Sequence, residues 1–157
     1  MSKNGRQEKI AQYAAGYDEV AKALAGFPRE GLVAHPIPGK WSACEIVHHL
    51  ADSEMNAAMR LRLLLAEDRP TIKGFDQDEF ARKLYYDRPH ESSLEAFRWA
   101  RQTTAELLER LGPAEWVREG THSEIGPFGV EEWLKIYAPH AHRHARQIRE
   151  ARTAVTK

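Results

Sequence analysis

The sequence predicts an all-α protein, a four-helix bundle in a single domain over residues 1–157. Long stretches place apolar residues three and four positions apart, which is the spacing of an amphipathic helix. No stretch alternates apolar and polar residues in the manner of a half-buried strand. A chain of 157 residues is long enough to bury one good core, and no internal repeat or low-complexity segment divides it. Four long helices around one core form a bundle.

The first two helices are predicted by apolar spacing and by a start signal. The first helix ends before Pro28, and residues 28–41 form an irregular connection rich in Pro and Gly. The second helix runs from 43 to about 66 behind the capping-box pair of Ser42 and Glu45. The apolar positions of the first helix are Ile10, Tyr13, Tyr17, Val20, Leu24 and Phe27.

The connection between the second and third helices is predicted to contain a short extra helix near residues 78–85. The third helix begins at a second capping-box pair, Ser92 with Glu95, and carries an apolar stripe. Gly112 and Pro113 follow this stripe and stop the helix, since neither residue favours a helix interior.

The fourth helix is predicted from about Val130 to Arg152, after a loop that contains several glycines. Pro139 falls inside it. Because proline lacks a backbone N–H and clashes with the preceding turn, a kink is predicted just before His140.

Charge and cysteine content exclude several classes of protein. Lys plus Arg equals Asp plus Glu at 23 each, so the basic surface of a nucleic-acid-binding protein is not expected. No apolar run approaches the roughly 20 residues of a membrane span, and the first residues lack a secretory signal. A cytoplasmic location is therefore expected. Cys44 is the only cysteine, so any metal must be held by His, Asp or Glu.

The stretch YAPHAHRHARQI, residues 137–148, carries three of the eight histidines at every second position. His140 and His144 lie one helical turn apart on the apolar face, with Cβ atoms about 5–6 Å apart. His142 is rotated by about 200° from each and is predicted to be a solvated surface residue. On this helix alone, two interpretations of the inward pair are equally open: shared ligation of one ion, or two core imidazoles with hydrogen-bond partners.

A third inward histidine, on another helix, favours the metal. His49 lies on the buried stripe of the second helix, whereas His48 is displaced by a quarter-turn. Two ligands from one helix and one from its neighbour is a way in which bundles build internal metal sites. Three protein ligands leave a coordination position open, as in catalytic sites. No Glu follows His140, so the base of a HExxH metalloprotease is absent.

Four motifs occur in order between about Pro36 and Ile148: PGKWSACEIVHHLADSE, GFDQDEFARKLYY, FRWARQTTAELLERL and THSEIGPFGVEEWLKIYAPHAHRHARQI. Together they resemble the DinB superfamily, and in particular its YfiT-like branch of metal-dependent hydrolases. The resemblance implies a down-up-up-down bundle, often a homodimer, that holds one divalent ion, nickel or zinc, on His49, His140 and His144. These are the same three residues that the helix faces predict.

The resemblance also bears on the reaction. Relatives with established activities use low-molecular-weight thiols, so this resemblance implies a small-molecule substrate and leaves hydrolysis and thiol S-transfer both open. It implies no DNA chemistry, in agreement with the balanced charge. A metal-binding or stress-associated protein without turnover is the alternative class, and a metal-free packed histidine network is a weaker third one.

Five further residues are candidates for the pocket or for partners of the imidazoles. His122 could act as an acid or base at the pocket mouth, although a local backbone contact is favoured. Arg101 could anchor an anionic substrate, although an ion pair with Glu54 is favoured. Asp52 and Glu54 are candidate acceptors for the second N–H of the imidazoles. Tyr137 shares the face of His140.

Overall fold

A computed structural model describes residues 1–156, and its architecture is a four-helix bundle with a small sheet at one side. The helices are α1 (Lys3–Ala14), α2 (Gly16–Leu24), α3 (Ala43–Ala66), α4 (Gln77–Lys83), α5 (Glu91–Leu108), α6 (Pro113–Trp116), α7 (Val130–Tyr137) and α8 (His140–Val155). The strands are β1 (Thr71–Ile72), β2 (Glu119–His122) and β3 (Gly126–Gly129). The predicted fold class is confirmed.

The bundle consists of four rods, two of which are broken helices. Rod 1 is α1 with α2, rod 2 is α3, rod 3 is α5, and rod 4 is α7 with α8. Rod 4 breaks at Ala138 and Pro139, so the predicted kink before His140 is confirmed. Rod 1 breaks at Ala15, which the apolar spacing did not predict.

The side-chain contacts between rods define their directions. The pairs His48–Ser93 and Arg62–Thr104 join rods 2 and 3 with residue numbers that increase together, so these rods run parallel. The pairs Gln12–His142 and Glu19–Arg149 show that rods 1 and 4 also run parallel. Rods 2 and 4 run antiparallel. In the contacts His49–His140 and Ala57–Trp133, the residue number rises along rod 2 while it falls along rod 4. This is the down-up-up-down arrangement that the resemblance implies.

The predicted start of the second helix is confirmed in detail. The Ser42 hydroxyl accepts from the Glu45 N–H at 3.2 Å, and the Glu45 carboxylate accepts from the Ser42 N–H at 2.7 Å. These two bonds satisfy donors at the helix N-terminus, which a helix cannot satisfy internally. They fix where α3 begins, and therefore where the inward stripe with His49 points.

The predicted start of the third helix is wrong. Helix α5 begins at Glu91 with His90 at the N-cap, and Ser92 and Glu95 form no capping box. The neighbouring Ser93 is buried, and its hydroxyl is hydrogen-bonded to Nδ1 of His48 on α3 at 2.8 Å. This contact with α3 fixes the position of the first turn of α5. The helix also ends earlier than predicted, at Leu108, and Pro113 opens the short helix α6.

The three-stranded sheet is a second correction, because no strand was predicted. Strand β2 lies between the other two, parallel to β1 and antiparallel to β3. Its sequence EGTH and the GPFG of β3 carry no apolar alternation, and Gly126 turns the chain with a φ of 79°. In the same region, the short helix predicted near residues 78–85 is observed as α4, two residues shorter at its C-terminal end and starting one residue earlier.

Within residues 1–156 no helix is both long enough and apolar enough to cross a lipid bilayer. The long helices instead bury one face each. The buried apolar residues form two clusters, one around Trp133 and Leu61 and the other around Phe97 and Ile148.

We predict that Ser42→Ala lowers the free energy of unfolding by about 1 kcal/mol or more, because it removes the side-chain cap of α3. Ser92→Ala is the matched control, since Ser92 is exposed and caps nothing, and its effect should stay within about 0.5 kcal/mol. Urea unfolding followed by circular dichroism measures both. Equal losses in the two variants would contradict this assignment of the caps.

Candidate metal centre

Three histidines from two rods come together near the break in rod 4. His140 is the first residue of α8, directly after Pro139, and His144 follows one turn later on the same face. His49 projects towards them from the antiparallel helix α3. His49 is buried, and the other two are half-buried. The structure therefore places together the three residues that the sequence selects.

The distances suit a shared ion. One ring nitrogen from each of the three imidazoles lies within 4.8 Å of the other two. The Nε2 atoms of His49 and His140 are 3.4 Å apart. Nitrogen ligands about 2.0–2.1 Å from one tetrahedral zinc ion are separated by about 3.3–3.4 Å, so this pair has the spacing of two ligands.

Burial keeps the three imidazoles in their neutral, ligand-competent form. Loss of hydration lowers the pKa of His49 from its ordinary value to about 3, with a further contribution from His144. The same cause lowers the pKa of His144 to about 4. The pKa of His140 falls well below its usual range because of burial and then because of the two neighbouring histidines. Neutral nitrogen lone pairs at neutral pH are what a metal requires.

Gln147 and Trp41 support this cluster, although neither is among the site residues predicted from the sequence. The carboxamide oxygen of Gln147 accepts from Nδ1 of His144 at 2.7 Å, which leaves the lone pair of this imidazole on Nε2. The ring centroids of Trp41 and His49 are 4.8 Å apart, so the indole covers the His49 ring on one side and shields it from solvent. The sequence signals for them are the position of Gln147 three residues after His144 on the same helix face and the presence of both residues in the motifs quoted for the family resemblance.

The donor set fits a divalent transition metal. All three candidate ligands are imidazoles, which suit zinc, nickel, copper or iron, and neither a carboxylate nor a thiolate is among them. The Nε2 atoms of His49 and His140 are also within hydrogen-bonding distance, with the donor set by the tautomers, so an ion shared by the two rings requires both nitrogens without a proton.

A cleft of about 310 Å³ opens beside His144. Apolar groups of Trp41 and Ile46 form part of its wall, while Lys40, Asp78 and Glu150 bring charges of both signs. Its size lies in the range of small-molecule sites. Because His144 forms part of the wall, a molecule in this cleft has access to the histidine cluster.

The favoured interpretation of Arg101 as the partner of Glu54 is observed. Both side chains are 1% exposed, and Nη1 of Arg101 pairs with Oε2 of Glu54. Arg101 is therefore engaged inside the bundle and does not line the cleft beside His144.

The interpretation of Asp52 and Glu54 as acceptors for the imidazoles is wrong in this structure. Glu54 accepts from Arg101 and from the hydroxyl of Tyr13, and Asp52 accepts from the hydroxyl of Tyr86 at 2.7 Å. Nδ1 of His49 is buried and has no hydrogen-bond partner among residues 1–156. Both carboxylates find partners on segments distant in sequence, which spacing along α3 does not disclose.

His122 makes the favoured local contact. Its Nδ1 accepts from the backbone N–H of Glu124 at 3.2 Å, in strand β2 and not in a loop. Burial, followed by the charge of Arg60, lowers its pKa. His122 is not one of the three clustered histidines, so its role as an acid or base remains a prediction.

Tyr137 borders the cluster. Its ring packs edge-on against His140 with a centroid distance of 6.2 Å, and its hydroxyl accepts from Nη1 of Arg60 at 2.7 Å. Its position next to His140 is as the helix face predicts. Because its hydroxyl is bonded to Arg60, Tyr137 makes no hydrogen bond to the three histidines.

The two remaining histidines of these helices point elsewhere, as predicted. His142 faces away from the cluster, but it is half-buried and donates to the carbonyl of Gln12 at 2.8 Å, so the prediction of a solvated residue is wrong. His48 is buried between Ser93 and the carbonyl of Arg88.

Fold and site together define a class, a four-helix bundle with a three-histidine centre beside an open cleft. Residues 12–148 match the model of the DinB superfamily, and the chain belongs to this family. The predicted resemblance is thereby confirmed. YfiT from Bacillus subtilis has the same fold, with a TM-score of 0.91, 24% identity, and coverage of 99% of this chain and 90% of that one.

Three curated relatives carry the name "putative metal-dependent hydrolase". A protein of Oceanobacillus iheyensis is 36% identical over 70% of this chain and 64% of its own length. One of Halalkalibacterium halodurans is 28% identical over 71% of this chain and 65% of its own length. The chain thus spans just under two thirds of the length of these two relatives. One of Geobacillus thermodenitrificans is 32% identical over 94% of this chain and 86% of its own length.

The depressed pKa values predict acid sensitivity of the metal-free protein. Below about pH 6.5 the unfolded chain protonates its histidines, whereas folded His144 stays neutral to about pH 4 and His49 to about pH 3. The unfolded state then binds more protons, so the free energy of unfolding decreases as the pH falls through this window. Each such histidine contributes up to about 1.4 kcal/mol per pH unit.

Urea unfolding of metal-free protein between about pH 6.5 and 4.5 measures this slope. The variant His144→Asn should show a shallower slope than the wild type, because it lacks one of the groups that titrate only when unfolded. An identical slope in the two proteins would show that His144 is not held neutral.

Proposed function

We propose that this protein is a metal-dependent hydrolase of small molecules that uses one divalent ion on His49, His140 and His144. The observation that carries the proposal is the convergence of three neutral imidazoles within 4.8 Å beside an open cleft. The names of the curated relatives support the same class. Zinc and nickel are the proposed metals, since both accept three imidazole nitrogens.

A divalent ion supplies Lewis-acid chemistry, polarising a bound substrate and lowering the pKa of a group that it binds. The chain provides the surroundings for that chemistry. Gln147 holds His144 with its Nε2 lone pair available. Trp41 covers His49 and, together with Ile46, gives the cleft an apolar wall that excludes water from one side of the substrate.

Hydrolysis requires a proton acceptor. Because no Glu follows His140 as in the HExxH motif, another residue must serve as this base. Asp78 and Glu150 are the carboxylates that line the cleft together with His144. Either one can accept a proton from a nucleophile in the cleft, and Lys40 can bind a negatively charged group of the substrate.

Two observations favour turnover over a purely structural ion. A structural zinc site surrounds its ion with four protein ligands. Three candidate ligands cluster here among the described residues, which leaves a fourth position for a water or a substrate. The cleft also gives a small molecule a route to His144.

We expect purified protein to retain about one divalent ion per chain, and His49→Ala and His144→Ala to lose it. His142→Ala is the matched control, since His142 lies on the same helix but contacts the carbonyl of Gln12. Elemental analysis after preparation without chelator measures the metal content. Stoichiometric metal in either site variant, or none in the wild type, would contradict the three-histidine site.

The reaction is tested on the same proteins with ester and amide substrates, in the presence and absence of low-molecular-weight thiols. Metal-dependent hydrolysis that needs no thiol, and that His49→Ala abolishes, is the expected result. Turnover only with a thiol and an electrophilic acceptor would replace hydrolysis by S-transfer. Stoichiometric metal with no turnover across these substrates would favour a non-catalytic metal-binding protein.

A further inference from the structure

The two most deeply buried opposite charges lie beside, and not within, the histidine cluster. Arg101 of α5 and Glu54 of α3 are each 1% exposed. Nη1 of Arg101 pairs with one Glu54 oxygen, and the hydroxyl of Tyr13 donates to the other. A buried ion pair stabilises a fold weakly compared with apolar packing. Its location therefore calls for a reason other than stability.

That location is the place where two helices end. Nε of Arg101 donates to the carbonyl of Tyr13 at 2.6 Å, and Nη2 donates to the carbonyl of Tyr137 at 3.2 Å. Tyr13 lies in the last turn of α1, and Tyr137 is the last residue of α7. The last carbonyls of a helix lack partners within it, and positive charge is favourable there. One guanidinium thus donates to a carbonyl at the C-terminal end of each of two helices.

The backbone packs tightly around this guanidinium. A Cβ atom placed on Gly16, at the start of α2, would lie 2.6 Å from Nε of Arg101 and 2.8 Å from Cβ of Ala141. Gly16, at the start of α2, therefore packs against both the guanidinium and the first turn of α8. Ala141 directly follows His140, so the contact lies at the base of the candidate ligands.

We propose that Arg101 is a positioning residue of the three-histidine site. By binding the Tyr137 carbonyl it fixes the end of α7, and with it the start of α8, which carries His140 and His144. By pairing with Glu54 it ties that position to α3, which carries His49 five residues earlier. The inference rests on the proposed function, because it assumes that these three histidines bind an ion.

The test compares Co²⁺ absorption spectra and Zn²⁺ affinities of four folded proteins. They are the wild type, Arg101→Lys, Tyr13→Phe and the control Arg149→Lys. Lysine keeps the charge of Arg101 but cannot reach Glu54 and two carbonyls at once. Tyr13→Phe removes only the hydroxyl that holds Glu54. Arg149 pairs with Glu19 at 2.8 Å between rods 4 and 1, away from the break.

We expect Arg101→Lys to weaken Zn²⁺ binding about 10- to 100-fold and to alter the Co²⁺ absorption bands, which report coordination geometry. Tyr13→Phe should shift both in the same direction by less. Arg149→Lys should leave both unchanged, even where it lowers the melting temperature. General destabilisation would not produce a spectral change that occurs in Arg101→Lys and Tyr13→Phe but not in Arg149→Lys.

The negative outcomes separate the two proposals. A wild type that binds neither ion would overturn the proposed function itself. A wild type that binds both, with Arg101→Lys and Tyr13→Phe matching Arg149→Lys in affinity and spectrum, would make Arg101 a structural residue only. If Arg101→Lys does not fold, Glu54→Gln replaces it, since it keeps an oxygen acceptor for Arg101 but removes the charge that ties Arg101 to α3. An unchanged spectrum and affinity in that variant would overturn the inference.

Discussion

The ion pair between Arg101 and Glu54 joins all four rods at one point. Arg101 extends from rod 3 and contacts rod 1 through the Tyr13 carbonyl, rod 2 through Glu54 and rod 4 through the Tyr137 carbonyl. Removing one partner of a buried pair leaves an uncompensated charge, at a cost of about 3–5 kcal/mol. The breaks in rods 1 and 4 and the close approach at Gly16 all surround this guanidinium.

The histidine cluster follows from the same arrangement. Rod 4 restarts at His140 after the break, so two imidazoles one turn apart face α3, where His49 completes the group. Burial keeps all three imidazoles neutral, and Gln147 selects the nitrogen that His144 presents. The cleft beside His144 then gives small molecules a route to this partly buried donor set. Helix geometry, burial and access are the observations behind the proposed metal centre.

Patterns within a helix predicted much of this protein from sequence. The four rods, the cap at Ser42, the kink at Pro139 and the three inward histidines depend on local spacing or on one residue's covalent geometry. The sheet, the break at Ala15 and the partners of Asp52 depend on contacts between distant segments. Gly16 illustrates the reason, because the guanidinium against which it packs lies on another rod. Glu54 likewise lies on the same helix as His49, but its partner Arg101 lies across the bundle.

The proposed centre requires His49, His140 and His144 to bind one ion together. X-ray absorption spectroscopy of the zinc-loaded protein tests it most directly, because imidazole rings give a distinctive multiple-scattering signal. We expect three imidazole nitrogens at about 2.0–2.1 Å from zinc in the wild type, and two after His49→Ala if zinc is retained at high concentration. Fewer than three imidazoles in the wild type, or a spectrum that His49→Ala leaves unchanged, would contradict it.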